Sequence, residues 1–325
     1  MKKKIKQSFA LLLAVALLLA LSACGAAKKT LTDMVRESAA YLTKTVPNPQ
    51  VDGVGGEWAV LGLARADADV PDGYFEGYYQ TLEQTLRDCG GELSERKYSE
   101  YSRVILALTA IGKDPSDVAG YNLLMRLGDY DKTVYQGLNG PIWALIALDS
   151  GNYEIPQNPD ASTQATRERY LQTILDAQLP DGGWAFSSDT AEPDMTAMAL
   201  QALRAYRGQP DVDAAIERGV ACLSALQDSE GGYSSWGTAS SESAAQVIVA
   251  LTSLGISLDD ERFVKNEKTV LDALLCYRDS DGSFRHTMDG KPDGMATEQG
   301  FYAMTAALRA QNGKSSLYDM MDVSR

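Results

Sequence analysis

The sequence predicts an all-α protein, an α/α toroid of six helical hairpins arranged as an inner and an outer ring. Three observations predict it. A phrase of the form small-Leu-x-x-x-x-Gly returns in degenerate copies around Leu63, Leu108, Leu148, Leu203, Leu251 and Leu308. The copies stand about 40–57 residues apart, the length of one helical pair with its loops. Two kinds of helix alternate within each period, one amphipathic and one apolar almost all round. No stretch is left over for another domain, and neither end of the array shows the polar cap that an open solenoid needs, so the six pairs are expected to close.

Taken in order, outer helix before inner, the pairs are 31–46 with 56–66, 74–88 with 99–111 and 115–128 with 139–150. The second half gives 163–178 with 194–207, 211–227 with 241–254 and 265–278 with 296–311. The inner helices of the first three pairs rest on "AVLGLARAD" (59–67), "ILALTAIGK" (105–113) and "ALIALDSGN" (144–152). In the fourth outer helix Leu171, Ile174, Leu175 and Gln178 share one face with charges opposite, and in the fifth Ile216, Gly219, Val220 and Leu223 do the same. The fourth and fifth inner helices, "MTAMALQALRAY" (195–206) and "ESAAQVIVALTSLG" (242–255), have no polar side. A helix without a polar side is buried on every side, and alanine lets its neighbours approach closely.

Three turns that follow outer helices share one spelling: "QLPDGGW" from Gln178, "QDSEGGY" from Gln227 and "RDSDGSF" from Arg278. Glycine permits positive φ where a helix ends, and the acid can bond backbone N–H groups of the turn. Trp184, Tyr233 and Phe284 are then expected to cover the junctions between pairs, which makes the turns scaffolding. These copies resemble the QW repeats of squalene cyclases and the related repeats of protein prenyltransferase β-subunits. The resemblance is clearest over 165–312 and extends weakly over the rest of 31–325, which reads as a single toroid domain. "GGEWAVLGLAR" and "MATEQGFYAM" also look like bacterial secreted proteins of this repeat family.

The first residues read as a targeting segment. Lys2, Lys3, Lys4 and Lys6 precede the apolar "SFALLLAVALLLALSA", and the run ends Leu21-Ser22-Ala23-Cys24. That ending resembles the bacterial lipobox, which implies a signal peptide over 1–23, a lipidated Cys24 and a tether over 24–30. The protein is thereby expected on the extracytoplasmic side of a membrane, anchored by lipid. An ordinary secretory signal or an uncleaved helix is the alternative. The formal net charge of −14 excludes nucleic acid and anionic headgroups as natural partners. Cys89, Cys222 and Cys276 are odd in number and widely spaced, so they read as small buried apolar groups without a disulfide framework.

The starts of the inner helices line one mouth of such a barrel. They carry Glu57, Trp58, Glu100, Tyr101, Trp143, Asp194, Glu242, Glu298, Gln299 and Tyr302. Acids there satisfy helix N–H groups, worth about 0.3–1 kcal/mol each, and the same acids can form an acidic, aromatic-walled cup for a polar, cationic or sugar-like ligand.

Catalytic constellations are missing. "DVDA" (211–214) lacks the last acid of the DxDD motif that the cyclase resemblance would imply, and it reads as a cap. The Asp/Cys/His zinc site of prenyltransferases has no counterpart, because His286 is the sole histidine. "ATEQ" (296–299) resembles the thioester motif of complement-like toroids with Ala in place of Cys, and "DSDG" (279–282) is too short for a calcium loop. His286 follows a turn and reads as a surface or packing residue. No metal or cofactor is expected. The leading expectation is a binding lipoprotein with an unknown small-molecule or protein ligand. The alternatives are a terpene- or glycan-active enzyme using the acidic ring, and a purely structural envelope protein.

Overall fold

The computed structural model describes residues 29–51 and 53–324, so the targeting segment and Cys24 lie outside the described residues. The outer helices are α1 (Leu31–Thr45), α3 (Tyr74–Asp88), α7 (Arg167–Asp176), α9 (Pro210–Leu226) and α11 (Val270–Leu275). The inner helices are α2 (Glu57–Arg65), α4 (Ser99–Ala110), α6 (Asn139–Ser150), α8 (Pro193–Leu203), α10 (Ser241–Ser253) and α12 (Gly294–Gln311). Their starts follow local chemistry. Thr30 with Asp33 and Thr269 with Asp272 form capping boxes at α1 and α11. Ser240 and Asp293 cap α10 and α12 through their side chains, and Pro193 opens α8.

Each inner helix packs on the next, and α12 packs on α2, so the ring closes. Outer helices cover the seams, α1 on α12, α7 on α6, α9 on α8 and α11 on α10. Amphipathic α3 buries Tyr78, Leu82 and Leu86 completely, and each such leucine contributes roughly 1.5–3 kcal/mol by leaving water.

The third outer position departs from expectation. Residues 115–128 were expected as a helix, but Ala119 and Gly120 both take positive φ (54° and 85°) and turn the chain back, with Val118 bridged to Tyr121. A 3-10 turn over Leu123–Gly128 and the short α5 (Tyr130–Val134) fill the space instead. The cysteines also divide: Cys222 is buried, whereas Cys89 and Cys276 are exposed.

The repeated turns link neighbours in the outer ring. The Gln178 amide donates to the turn carbonyl of Gly182 (2.7 Å) and to Ala215 O on α9 (2.9 Å). Gln227 donates to Gly231 O and to Phe263 O ahead of α11, both at 3.0 Å. Arg278, in the third copy, donates to Met34 O (3.2 Å) and pairs with Glu37 (2.9 Å), both on α1. The last turn therefore clasps the first helix. Gly182, Gly231 and Gly282 take φ of 90°, 82° and 101°, and a Cβ there would meet the next segment's carbonyl at 2.9, 2.7 and 2.7 Å. Glycine is required on both counts. Trp184, Tyr233 and Phe284 are fully buried.

The C-terminal tail closes the base, where the inner helices end. Buried Arg65 donates to Leu317 O (2.9 Å) and Asp319 O (2.8 Å), and with Arg309 it grips Asp322. Met320 N donates to Ser150 O (2.9 Å). Tyr318 enters the barrel edge-on to Trp143, ring centroids 5.9 Å apart.

Candidate functional site

The opposite end, where the inner helices begin, is the mouth. Its carboxylates fall into two groups. In the first, Glu57 and Glu298 hold the glycine-rich loop 53–56 from two sides. Gly53 N donates to Glu57 (2.8 Å) and Gly55 N to Glu298 (2.7 Å). Arg103, one turn into α4, pairs with Glu57 at 2.9 Å, and Tyr78 donates to it at 3.3 Å. Both carboxylates are buried at 1% exposure, so they brace the rim from within and do not line an open surface. Burial raises the Glu57 carboxyl above its usual range, against the pull of Arg103. Burial pushes Glu298 up to about 8; the Gly55 N–H opposes that rise and the charge of Glu57 reinforces it. Oε2 of Glu298 is buried with no hydrogen-bond partner among the described residues.

The second group is Asp194 and Glu242, both half-buried. Burial raises Asp194, and the hydroxyls of Ser243 and Ser235 partly offset it. Its Oδ1 is buried and unpartnered among the described residues. Glu242 meets the His286 ring at 2.9 Å and accepts from the Ser241 hydroxyl at 3.0 Å. Ser235 belongs to a two-stranded hairpin, Ser234–Ser235 with Thr238–Ala239, which leans on α8.

Aromatic rings floor the mouth. Trp58 lies 5.2 Å from Trp143 and 5.9 Å from Tyr302 between ring centroids. Helices α2 and α6 are not neighbours in the ring but flank α4, so the two tryptophans meet inside the ring. Amides ring the same level: the Gln246 amide donates to Gln299 (3.0 Å) and to the Tyr302 hydroxyl (2.7 Å), and Gln201 donates to Gln246 (3.1 Å). Trp58 and Gln299 keep partial contact with solvent, whereas Tyr302 is buried and its hydroxyl is held well above its usual range by burial.

Of the ten sequence candidates, Trp58, Trp143, Tyr302 and Gln299 join in one cluster, and the charges of Asp194 and Glu242 reach its Tyr302 hydroxyl. Glu57 and Glu298 stand behind that cluster. Tyr101 turns outward: it packs edge-on against Tyr98 (5.2 Å), and its hydroxyl meets the backbone of Ser94. Glu100 is half-buried at the start of α4. Sequence reasoning did not single out Arg103, Gln246 or Trp236, and it gave His286 only a surface or packing role. Trp236 sits at the hairpin tip, 73% exposed, at a positive φ of 55°. The signal for it was a tryptophan directly before Gly237 inside a serine-rich turn. Among the described residues, no group of three or more His, Cys, Asp or Glu stands close enough to hold a metal ion.

Closed rings of six inner helices with a polar site at one mouth define the α/α toroid class. No family model and no curated protein matches the chain. Solved structures do. The unsaturated glucuronyl hydrolase of Bacillus sp. GL1 is similar with a TM-score of 0.56 at 14% identity, over 88% of this chain and 97% of that one. Type II terpene cyclase MstE from Scytonema gives 0.55 at 14% identity, over 86% and 99%. A glucuronyl hydrolase variant with dGlcA-Glc-Rha-Glc gives 0.57 at 15% identity, over 87% and 97%. These likenesses establish the α/α toroid fold.

Proposed function

We propose that the protein is an extracytoplasmic lipoprotein, anchored through Cys24, whose mouth binds a neutral sugar-like ligand. The observation that carries this reading is the unpartnered, buried Oδ1 of Asp194, a carboxylate whose charge, with that of Glu242, reaches Tyr302 in the Trp58–Trp143–Tyr302 cluster. A sugar ring presents C–H faces that pack on aromatic rings and hydroxyls that donate to carboxylates. A hydroxyl delivered to Asp194 would fill a hydrogen-bond vacancy that otherwise costs about 1–3 kcal/mol. The carboxylates disfavour uronates, and the amide network disfavours a bare isoprenoid chain. The lipid anchor is supported by the sequence through Cys24 alone.

Calorimetry of the mature chain against neutral mono- and disaccharides, with a uronate and a prenyl alcohol as controls, tests the reading. A neutral sugar is expected to bind, with affinity lost in Asp194→Asn and Trp58→Ala variants that keep the wild-type circular dichroism. Binding only of the prenyl compound, or sugar binding indifferent to both substitutions, would overturn it.

A second reading, a glycan-active enzyme, draws on one observation. Glu298 retains its proton near neutrality, and a carboxylic acid still protonated at neutral pH is what a glycoside general acid requires. Lifting of the 53–56 loop would be needed to expose it. Hydrolysis of aryl glycosides that disappears in Glu298→Gln would favour this reading over simple binding.

A further inference from the structure

The exposed apolar side chains are not scattered. Among the described residues, Val54, Tyr135, Phe186, Trp236, Met288 and Met295 stand out from the surface, and all six lie on outer-to-inner connections or the first turn of α12. Leu226 ends α9 at the same end, and only Met321 lies on the base. Exposed hydrophobics scattered singly need no explanation, whereas their concentration on one rim marks an interaction surface.

The rim is continuous over much of its circuit. The Trp236 hairpin leans on α8, and Ser241 N donates to His286 O (3.1 Å), which ties the next connection to the start of α10. Met288 follows two residues later, and Val54 packs over Gly294 beside Met295. The five connections that carry these side chains hold more than twice as many acids as bases.

We propose that this rim docks a cationic, amphipathic segment of a partner protein. Its apolar side chains would pack on Trp236, Met288 and their neighbours while its lysines or arginines meet the acidic connections. Such a combination of apolar contact and opposite charge gives both affinity and steering. Trp236 is the expected centre. A bulky residue at positive φ is strained by roughly 1–3 kcal/mol, yet the hairpin holds it there and leaves it in water. A membrane is the poorer occupant. Lys29, the first described residue, stands at the base just ahead of α1, and α12, with 18 residues, separates base from rim by about 27 Å. The rim lies outside the cup floor, so this inference does not rest on the sugar reading.

The test uses the mature chain and two labelled 18-residue probe peptides of equal hydrophobicity, one Lys/Leu/Trp and one Glu/Leu/Trp, followed by fluorescence anisotropy at low and high salt. The cationic peptide should bind about tenfold or more tightly than the anionic one, and salt should weaken it. The double variant Trp236→Gly, Met288→Ser should lose about tenfold in affinity at a melting temperature no lower than that of the wild type, since glycine removes the positive-φ strain. Equal binding of both peptides, or wild-type binding by the variant, would overturn the proposal. So would rim-dependent sedimentation with phosphatidylcholine or phosphatidylglycerol vesicles, or rim-dependent self-association in the ultracentrifuge, which would give the surface to a membrane or to a second copy.

Discussion

Glu298→Gln should stabilise the protein in alkali while leaving it nearly unchanged in acid. The folded Glu298 carboxyl titrates near 8 against an ordinary value of 4.5, so the folded chain holds the proton more tightly than the unfolded chain does. Its contribution is therefore fully present below about pH 4.5 and is lost as pH climbs through about 8. At about 1.4 kcal/mol per pH unit of displacement, the total loss is roughly 4–5 kcal/mol, an upper bound because the 53–56 loop can lift and admit water. Glutamine keeps an oxygen for the Gly55 N–H and mimics the protonated acid. Urea unfolding followed by circular dichroism at pH 5, 7 and 9 reads the difference. The two proteins should agree within about 1 kcal/mol at pH 5 and diverge by several kcal/mol at pH 9. Parallel stability curves across that range would refute the burial argument. Glu57 and Asp194 are also raised by burial, so the Glu298→Gln variant should itself keep some slope.

Two further outcomes follow from the packing. Gly282→Ala should destabilise by at least about 1–3 kcal/mol through its φ alone, with more from the clash with Glu37 O. Gly313→Ala, at φ 64° with open space around it, should cost only the backbone term, and equal melting temperatures for the two variants would refute the clasp. Tyr318→Ala should cost about 3–5 kcal/mol, the usual range for a buried aromatic, and thermal unfolding would show whether the tail plug contributes as its burial implies.

The ring architecture was legible because alanine-rich and amphipathic helices alternate, and because the turn at Gln178 is spelled again at Gln227 and Arg278. The acid's role shifts between copies. Asp181 accepts from Gly183 N and Ala191 N in the first copy, whereas Asp228, two residues ahead of the expected Glu230, accepts from Gly232 N in the second. The third outer helix was misread because its residues carry apolar side chains at helical spacing while Ala119 and Gly120 impose a turn. The tail was invisible because its anchors, Arg65 and Ser150, lie far away in sequence. At the mouth the helix starts were readable but the direction of each side chain was not. One residue is about 100° of helix rotation, enough to send Glu57 toward Arg103 and its neighbour Trp58 toward the axis. Trp236 and His286 sit on connections, where no periodicity points to them.

Because Arg278 seizes α1 as Gln178 seizes α9, the circle has no privileged starting unit. Lys29 and the tail both sit at the base, so neighbour order, not chain order, holds the architecture together. A gene re-opened at the exposed loop after α3, with the old ends joined by a flexible spacer, should still yield the same closed wheel.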